Sequence, residues 1–406
     1  MESDLISDTW GDLDSAELRL LLDERIGGPG QYDDPDKNPN VIYLPLGGAS
    51  CRIKLTLRDK KIAAIERGPA FDAAEWERVS QEIERSILAG PMKVGRDFSF
   101  SSFRVLGSWR GNQSGVQILP PPDGTPRAPD EMAEHPFVLE FPLRASDLWQ
   151  ITNHRRIREH RRLTLLFNIL LRGRTSLQPR RADQFWASVP RNDGGRDIKW
   201  VRQFFLGELG EVIQDRLSMP ANEQLEELEP KAYYAQVGHD GRGLRVPADL
   251  DESIYCYRQL SADNRDKFDR ATFWMDMASR QWNMSMSASF AALVSAISSL
   301  LEPGELQRFK RPFHAGSQHE VSQAMEEFEV FFEKYGGQAS SGDRRREMYS
   351  FWSKIIRGSE LMQLDQLDLD FAFGWDPPWW KERELYNELW SLARAALRNW
   401  LRNPPH

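Results

Sequence analysis

Cysteine is nearly absent from this chain: Cys51 and Cys256 are the only two among 406 residues. Two thiols exclude both a disulfide framework and a cysteine-built zinc site. Histidine is scarce as well. His314 and His319 lie near Glu320, but their spacing does not put both imidazoles on one helix face, so no metal is expected there. No apolar run approaches the roughly 18 residues of a membrane span. The acidic opening from Met1 to Asp14 has no hydrophobic signal core. No nucleophile elbow, zincin motif or dinucleotide fingerprint is present. The run Gly238-His239-Asp240-Gly241-Arg242-Gly243 lacks the Lys-Ser/Thr ending of a phosphate loop and reads as a turn. These absences lead to an expectation of a cytoplasmic protein without cofactor, metal or membrane partner.

What is present points to packed cores. Aromatic residues make up 11% of the chain, with 14 Trp, which argues against disorder. The net charge of −8 excludes a basic coat over the whole surface, while leaving room for a local basic patch. A chain of 406 residues is longer than one hydrophobic core usually serves, so two domains are expected.

Periodicity divides the chain into four parts. Residues 1–40 read as an arm and linker with one amphipathic helix around Leu18, Leu20, Leu21 and Leu22. Residues 41–235 read as an α+β domain. Strands are expected at Val41–Leu44, Cys51–Leu57, Phe98–Leu106, Gly115–Leu119, Phe137–Phe141, Phe185–Val189 and Lys199–Phe205. Helices are expected around Trp76–Ile87, from Asp147 to Leu171, and as a charged segment at Glu223–Glu229. Residues 236–262 read as a second linker, and 263–406 as an all-α domain. Its stripes are Phe268 to Trp282, Phe290 to Leu301, and Met325 to Phe332, followed by a loop from Gly336 to Arg346. The last helix has its start written out, with Asp376 to cap it and Pro377 in its first turn.

One stretch carries a family likeness: Arg346-Glu347-Met348-Tyr349-Ser350-Phe351-Trp352-Ser353-Lys354-Ile355-Ile356-Arg357-Gly358-Ser359-Glu360-Leu361. It resembles the signature of HEPN domains, in particular the Apea-like branch. There a Tyr precedes an Arg, then four to six residues, then a His followed by Gly-Ser. The frame matches at Tyr349, Ser353, Gly358, Ser359 and Leu361, and the likeness covers roughly residues 265–402. The resemblance implies a helical domain that pairs with a second copy and belongs to prokaryotic RNA-targeting or anti-phage systems.

Where the family has its catalytic Arg this chain has Trp352, and where it has His, Arg357. In active members the His would move a proton and the Arg would stabilise phosphorane charge. A guanidinium stays protonated and an indole carries no charge, so no confident catalytic residue remains. Three readings stay open. The chain is a degenerate member that senses RNA or assembles a complex, with Tyr349, Trp352, Lys354 and Arg357 lining an RNA groove. It is an active ribonuclease whose base lies elsewhere or comes from a partner chain. Or it is a structural dimerisation module.

The second feature is the run from His154 to Arg181, with Arg155, Arg156, Arg158, Arg161, Arg162, Arg172, Arg174, Arg180 and Arg181 against one acid, Glu159. It reads either as a phosphate-facing patch or as a face of internal ion pairs. Arg155 and His160 reproduce the Arg-x4-His spacing by position, a cheap coincidence in so arginine-rich a segment. Expected partners are a second copy through the C-terminal helices, RNA, or another protein subunit.

Overall fold

A computed structural model describes residues 15–26, 31–32, 40–44, 53–58, 61–67, 72–88, 90–125, 127, 133–177, 185–191, 193–201, 212–236, 243–301, 318–337, 341–366 and 377–405. The fold mixes helices and sheets, and its C-terminal region is helical. It divides into two compact units, Met1–Arg96 with Glu140–His160 and Glu211–Ser218, and Asp97–Leu139 with Arg161–Gly210 and Met219–His406.

In the first unit, α1 (Ser15–Ile26) and α2 (Ala73–Leu88) accompany an antiparallel sheet of β1 (Gln31–Tyr32), β2 (Val41–Leu44), β3 (Ile53–Arg58) and β4 (Lys61–Arg67). The leucines of α1 do not belong to an arm. Leu18, Leu21 and Leu22 are buried with Ile42, Ile53, Leu55, Ile65, Val79 and Ile83 in one core. Burying them is worth roughly 1.5–3 kcal/mol per side chain, which holds the helix onto the sheet.

Two long strands, β5 (Met92–Ser101) and β8 (His135–Arg144), pass from one unit into the other. With β6 (Trp109–Arg110), β7 (Gln117–Leu119), β9 (Thr175–Leu177) and β12 (Val212–Gln214) they form a sheet ordered β12-β5-β8-β7-β6, with β9 also paired to β5. The long helix α3 (Trp149–Leu170) also runs through both units. The strands expected near Phe185 and Lys199 form an antiparallel hairpin, β10 (Phe185–Pro190) and β11 (Arg196–Val201).

The charged segment at Glu223–Glu229 is not a helix. Its backbone bonds go sideways instead: Ser108 N–H donates to Glu223 O at 2.9 Å, and Leu225 N–H donates to Ser108 O at 2.8 Å. Glu227–Leu228 is a short strand, β13, parallel to β14 (Val246–Pro247). The helix starts later, as α4 (Pro230–Ala235), because Pro230 suits only a first turn and Glu229 caps Ala232 N–H at 2.9 Å.

The helical region begins within the expected linker. In α5 (Leu250–Gln259), Leu250, Ile254 and Tyr257 are buried at helical spacing. Then follow α6 (Ala262–Gln281), α7 (Met286–Ser298), α8 (Gln318–Tyr335), α9 (Gly342–Ile356) and α10 (Pro377–Arg402). Ser261, Ser285 and Ser341 cap the starts of α6, α7 and α9 with their hydroxyls. The Ser341 cap places residues 342–346 in a helix rather than in the expected loop. Asp365 strengthens the start of α7, accepting from Met286 N–H at 3.0 Å and Ser287 N–H at 2.6 Å. Phe268, Phe290, Phe328, Phe332, Leu389, Leu397 and Trp400 are buried in this region. The expected cap Asp376 and His314 lie outside the described residues, and the side chain of His319 is outside the described side chains.

Candidate functional site

The helix that carries the family likeness, α9, buries Met348 and Arg345 and leaves its other cations outside. Arg344 bonds Glu388 at 2.9 Å and Glu347 at 2.6 Å, Arg346 bonds Glu329 at 2.6 Å, and Lys354 meets Glu360 at 2.7 Å. Arg357 is different. Its side chain is exposed and forms no ion pair among the described residues.

The aromatic part of the motif packs inward. Tyr349 sits against Phe328 at 5.5 Å and against Trp352 at 5.1 Å between ring centroids, and Phe351 meets the edge of Phe290 at 5.7 Å. The Trp352 Nε1 is buried and has no hydrogen-bond partner among the described residues. Burial, reinforced by the nearby Glu327 and only partly opposed by Arg357, pushes the Tyr349 phenol up to about 12. It is therefore neutral at physiological pH and cannot serve as a base there. The Gly-Ser pair after the motif has a structural explanation. Gly358 adopts φ +69°, and Ser359 N–H closes back onto Lys354 O at 3.0 Å, ending the helix as a Schellman-type stop does.

The arginines of α3 are mostly internal. Arg155 Nε donates to Glu17 at 2.8 Å and its Nη1 to Arg144 O at 3.0 Å, within the first unit. Arg156 is 1% exposed, with Nε and Nη2 on Asn153 Oδ1 at 3.2 and 2.9 Å. Its stem runs past Gly95, where an added Cβ would come within 3.1 Å of it and within 2.7 Å of Phe141. Arg158 lies 3.6 Å from Glu17. His160 is buried and stacked on Phe141 at 6.2 Å, nearly parallel. Arg155 and His160 therefore do not form an accessible catalytic pair, and Arg155 and Arg156 do not face RNA.

In the second unit, Arg162 bonds Asp269 at 2.9 Å, and the other oxygen of Asp269 accepts from the Tyr257 hydroxyl at 2.6 Å. Burial raises the Asp269 carboxyl even against these partners. Arg161 alone of these five arginines is exposed, and it opens on a cleft shared with α6 and β9. Arg180 and Arg181 lie outside the described residues.

Sequence reading missed the end of α3. Arg398 of α10 donates to Ile169 O at 3.3 Å and lies over the Tyr234 ring at 3.9 Å. Arg394, half-buried, donates to Leu171 O, and its desolvation there, with repulsion from Arg398, brings its guanidinium down to about 10. Cations on the last carbonyls of a helix satisfy orphan acceptors and oppose its dipole. Periodicity shows these arginines late on their own helix, while their acceptors are more than 200 residues away.

The described residues define a mixed α/β protein with a helical C-terminal region, in which no helix is long and apolar enough to cross a membrane. Comparison with family models, with curated proteins and with solved structures finds no match.

Proposed function

We propose that this chain is a catalytically degenerate HEPN-like protein that works as an assembly subunit, in the prokaryotic RNA-targeting or anti-phage setting the resemblance implies. The observation that carries the reading is the chemistry around α9. The positions that would cut RNA hold a half-buried indole and a guanidinium. Beside them, Ile356, Leu361 and Leu364 are 59%, 47% and 42% exposed. Large apolar side chains left in water beside an inert motif favour a protein contact over a reaction centre. Pairing of two copies through the C-terminal helices is the simplest symmetric use of that surface. Light scattering should give a dimer for the full chain. Ile356→Asp with Leu361→Asp should give a folded monomer. A wild-type monomer of 46.9 kDa at tens of micromolar would overturn the reading.

Arg357 favours a second reading, RNA sensing at the same helix. It is exposed and has no ion pair among the described residues, where Arg344, Arg346 and Lys354 each have one. A phosphate there, with Tyr349 and Trp352 beside it, would give weak binding that falls with salt at a slope of about −0.7 per neutralised phosphate. Binding that persists in Arg357→Glu would remove this reading.

A further inference from the structure

A cleft of about 250 Å³ opens between α3, α6 and β9, and the residues that line it all belong to the second unit. Arg161, Thr164 and Leu165 line it from one face of α3, at spacings of three and four residues. Phe273, Asp276, Met277 and Arg280 line it from one face of α6 by the same rule, and Thr175 and Ser176 come from β9. The number of polar groups matters less than which of them are already used.

The carboxylate and the threonine hydroxyls are already engaged. Asp276 takes Arg280 Nε on one oxygen at 2.7 Å and Asn168 Nδ2 on the other at 3.2 Å. The hydroxyl of Thr175 donates to Thr164 O at 2.8 Å, and the hydroxyl of Thr164 is shared with Ser99 at 3.3 Å. The donors are not spent. Among the described residues Arg161 makes no ion pair, the terminal nitrogens of Arg280 make no hydrogen bond, and neither does the Ser176 hydroxyl. The lining carries two guanidinium groups against one carboxylate. A cation would meet a single carboxylate already shared by two donors and flanked by two guanidinium groups, whereas an acceptor-rich anion would meet three unused donor groups. Two forked guanidinium groups and a hydroxyl exceed what a carboxylate's two oxygens need, and they suit the three outer oxygens of a phosphate. Phe273, 36% exposed on the wall, offers a ring for the organic part of the ligand.

We infer that this cleft binds a small phosphate ester, held by Arg161, Arg280 and Ser176 with its organic group against Phe273. The inference does not depend on the assembly reading of α9, and the two fail separately. Titrating the full chain with inorganic phosphate, adenosine 5′-monophosphate and a 5′-hydroxyl RNA oligomer tests it, by calorimetry and by the melting temperature. The monophosphate should bind more tightly than inorganic phosphate and raise the melting temperature with concentration, as any ligand of the folded state does. The RNA, which has no terminal phosphate, should not displace it. Arg161→Gln should weaken binding about tenfold or more, the size of one lost charge-assisted bond. It should leave the ligand-free melting temperature unchanged, because the side chain is exposed. Ser176→Ala should weaken binding less. Three results would overturn the inference: no response to either phosphate compound, unchanged affinity in both variants, or displacement by the RNA at lower concentration than the monophosphate.

Discussion

Two arginine-rich helices stand out in this chain, α3 and α9, and they use the same residue type for opposite purposes. On α3 the guanidinium groups reach partners remote in the chain: Arg155 meets Glu17 at a separation of 138 residues and Arg162 meets Asp269 at 107. These bonds are wholly or partly buried, so the charges hold elements together. On α9 most pairs are local or exposed, as in Arg344 with Glu347 and Lys354 with Glu360, and Arg344 with Glu388 is the partly buried exception. The difference teaches that a run of arginines says little by itself. What matters is whether a carboxylate arrives from elsewhere before water does.

That contrast is open to attack in order of expected effect. Glu17→Ala should cost about 3–5 kcal/mol of unfolding free energy in urea titrations, because it strands a buried guanidinium. Replacing Glu17 and Arg155 together by Met should recover much of that loss. A single-variant loss below about 1 kcal/mol would place α3 among exposed-pair helices.

Asp365 gives an intermediate effect with a pH signature. Burial works against its charge, but hydrogen bonds from Ser287 and Ser285 and from the Met286 backbone outweigh that and hold the carboxyl below its usual value. A depressed folded pKa stabilises fully above the unfolded value near 3.9 and is lost as pH falls through the folded one. Asp365→Ala should therefore cost about 1 kcal/mol near pH 7, the usual worth of a helix cap, and progressively less below about pH 4. A loss independent of pH would show that shape rather than charge matters there.

On α9 the effects should be small. Arg346→Ala removes an exposed pair and should leave the urea-unfolding midpoint nearly unchanged, the more so at high salt. The Tyr349 phenol should titrate near 12 by ultraviolet absorbance, and Arg357→Gln should move it higher, since that cation favours the phenolate. A midpoint that falls instead would mean that Arg357 does not act on the ring. At the bottom of the scale, purified protein should leave single-stranded RNA intact. Clean cleavage abolished by His160→Gln, with folding preserved, would reverse the assignment of α3 as a structural helix.

Much of the architecture was legible in the amino-acid order, because amphipathic period and capping are local. The leucine stripe of α1, the alternation of β3, the stripe of α7 and Pro377 at the start of α10 all report the elements in which they lie. Trp352 and Arg357, the two departures within the stretch that resembles a HEPN signature, are read straight from the sequence, since they are identities rather than contacts. Misreadings arose where a local rule met a distant partner. Glu223–Glu229 has helix-forming composition, but Ser108 takes its backbone bonds. The arm and the second linker hold buried residues because the surfaces that cover Leu21 and Tyr257 come from other parts of the chain. Tertiary structure alone decided which arginines are spent and which, like Arg161, remain available. Counter-ions are found through space, and no spacing along the chain records that distance.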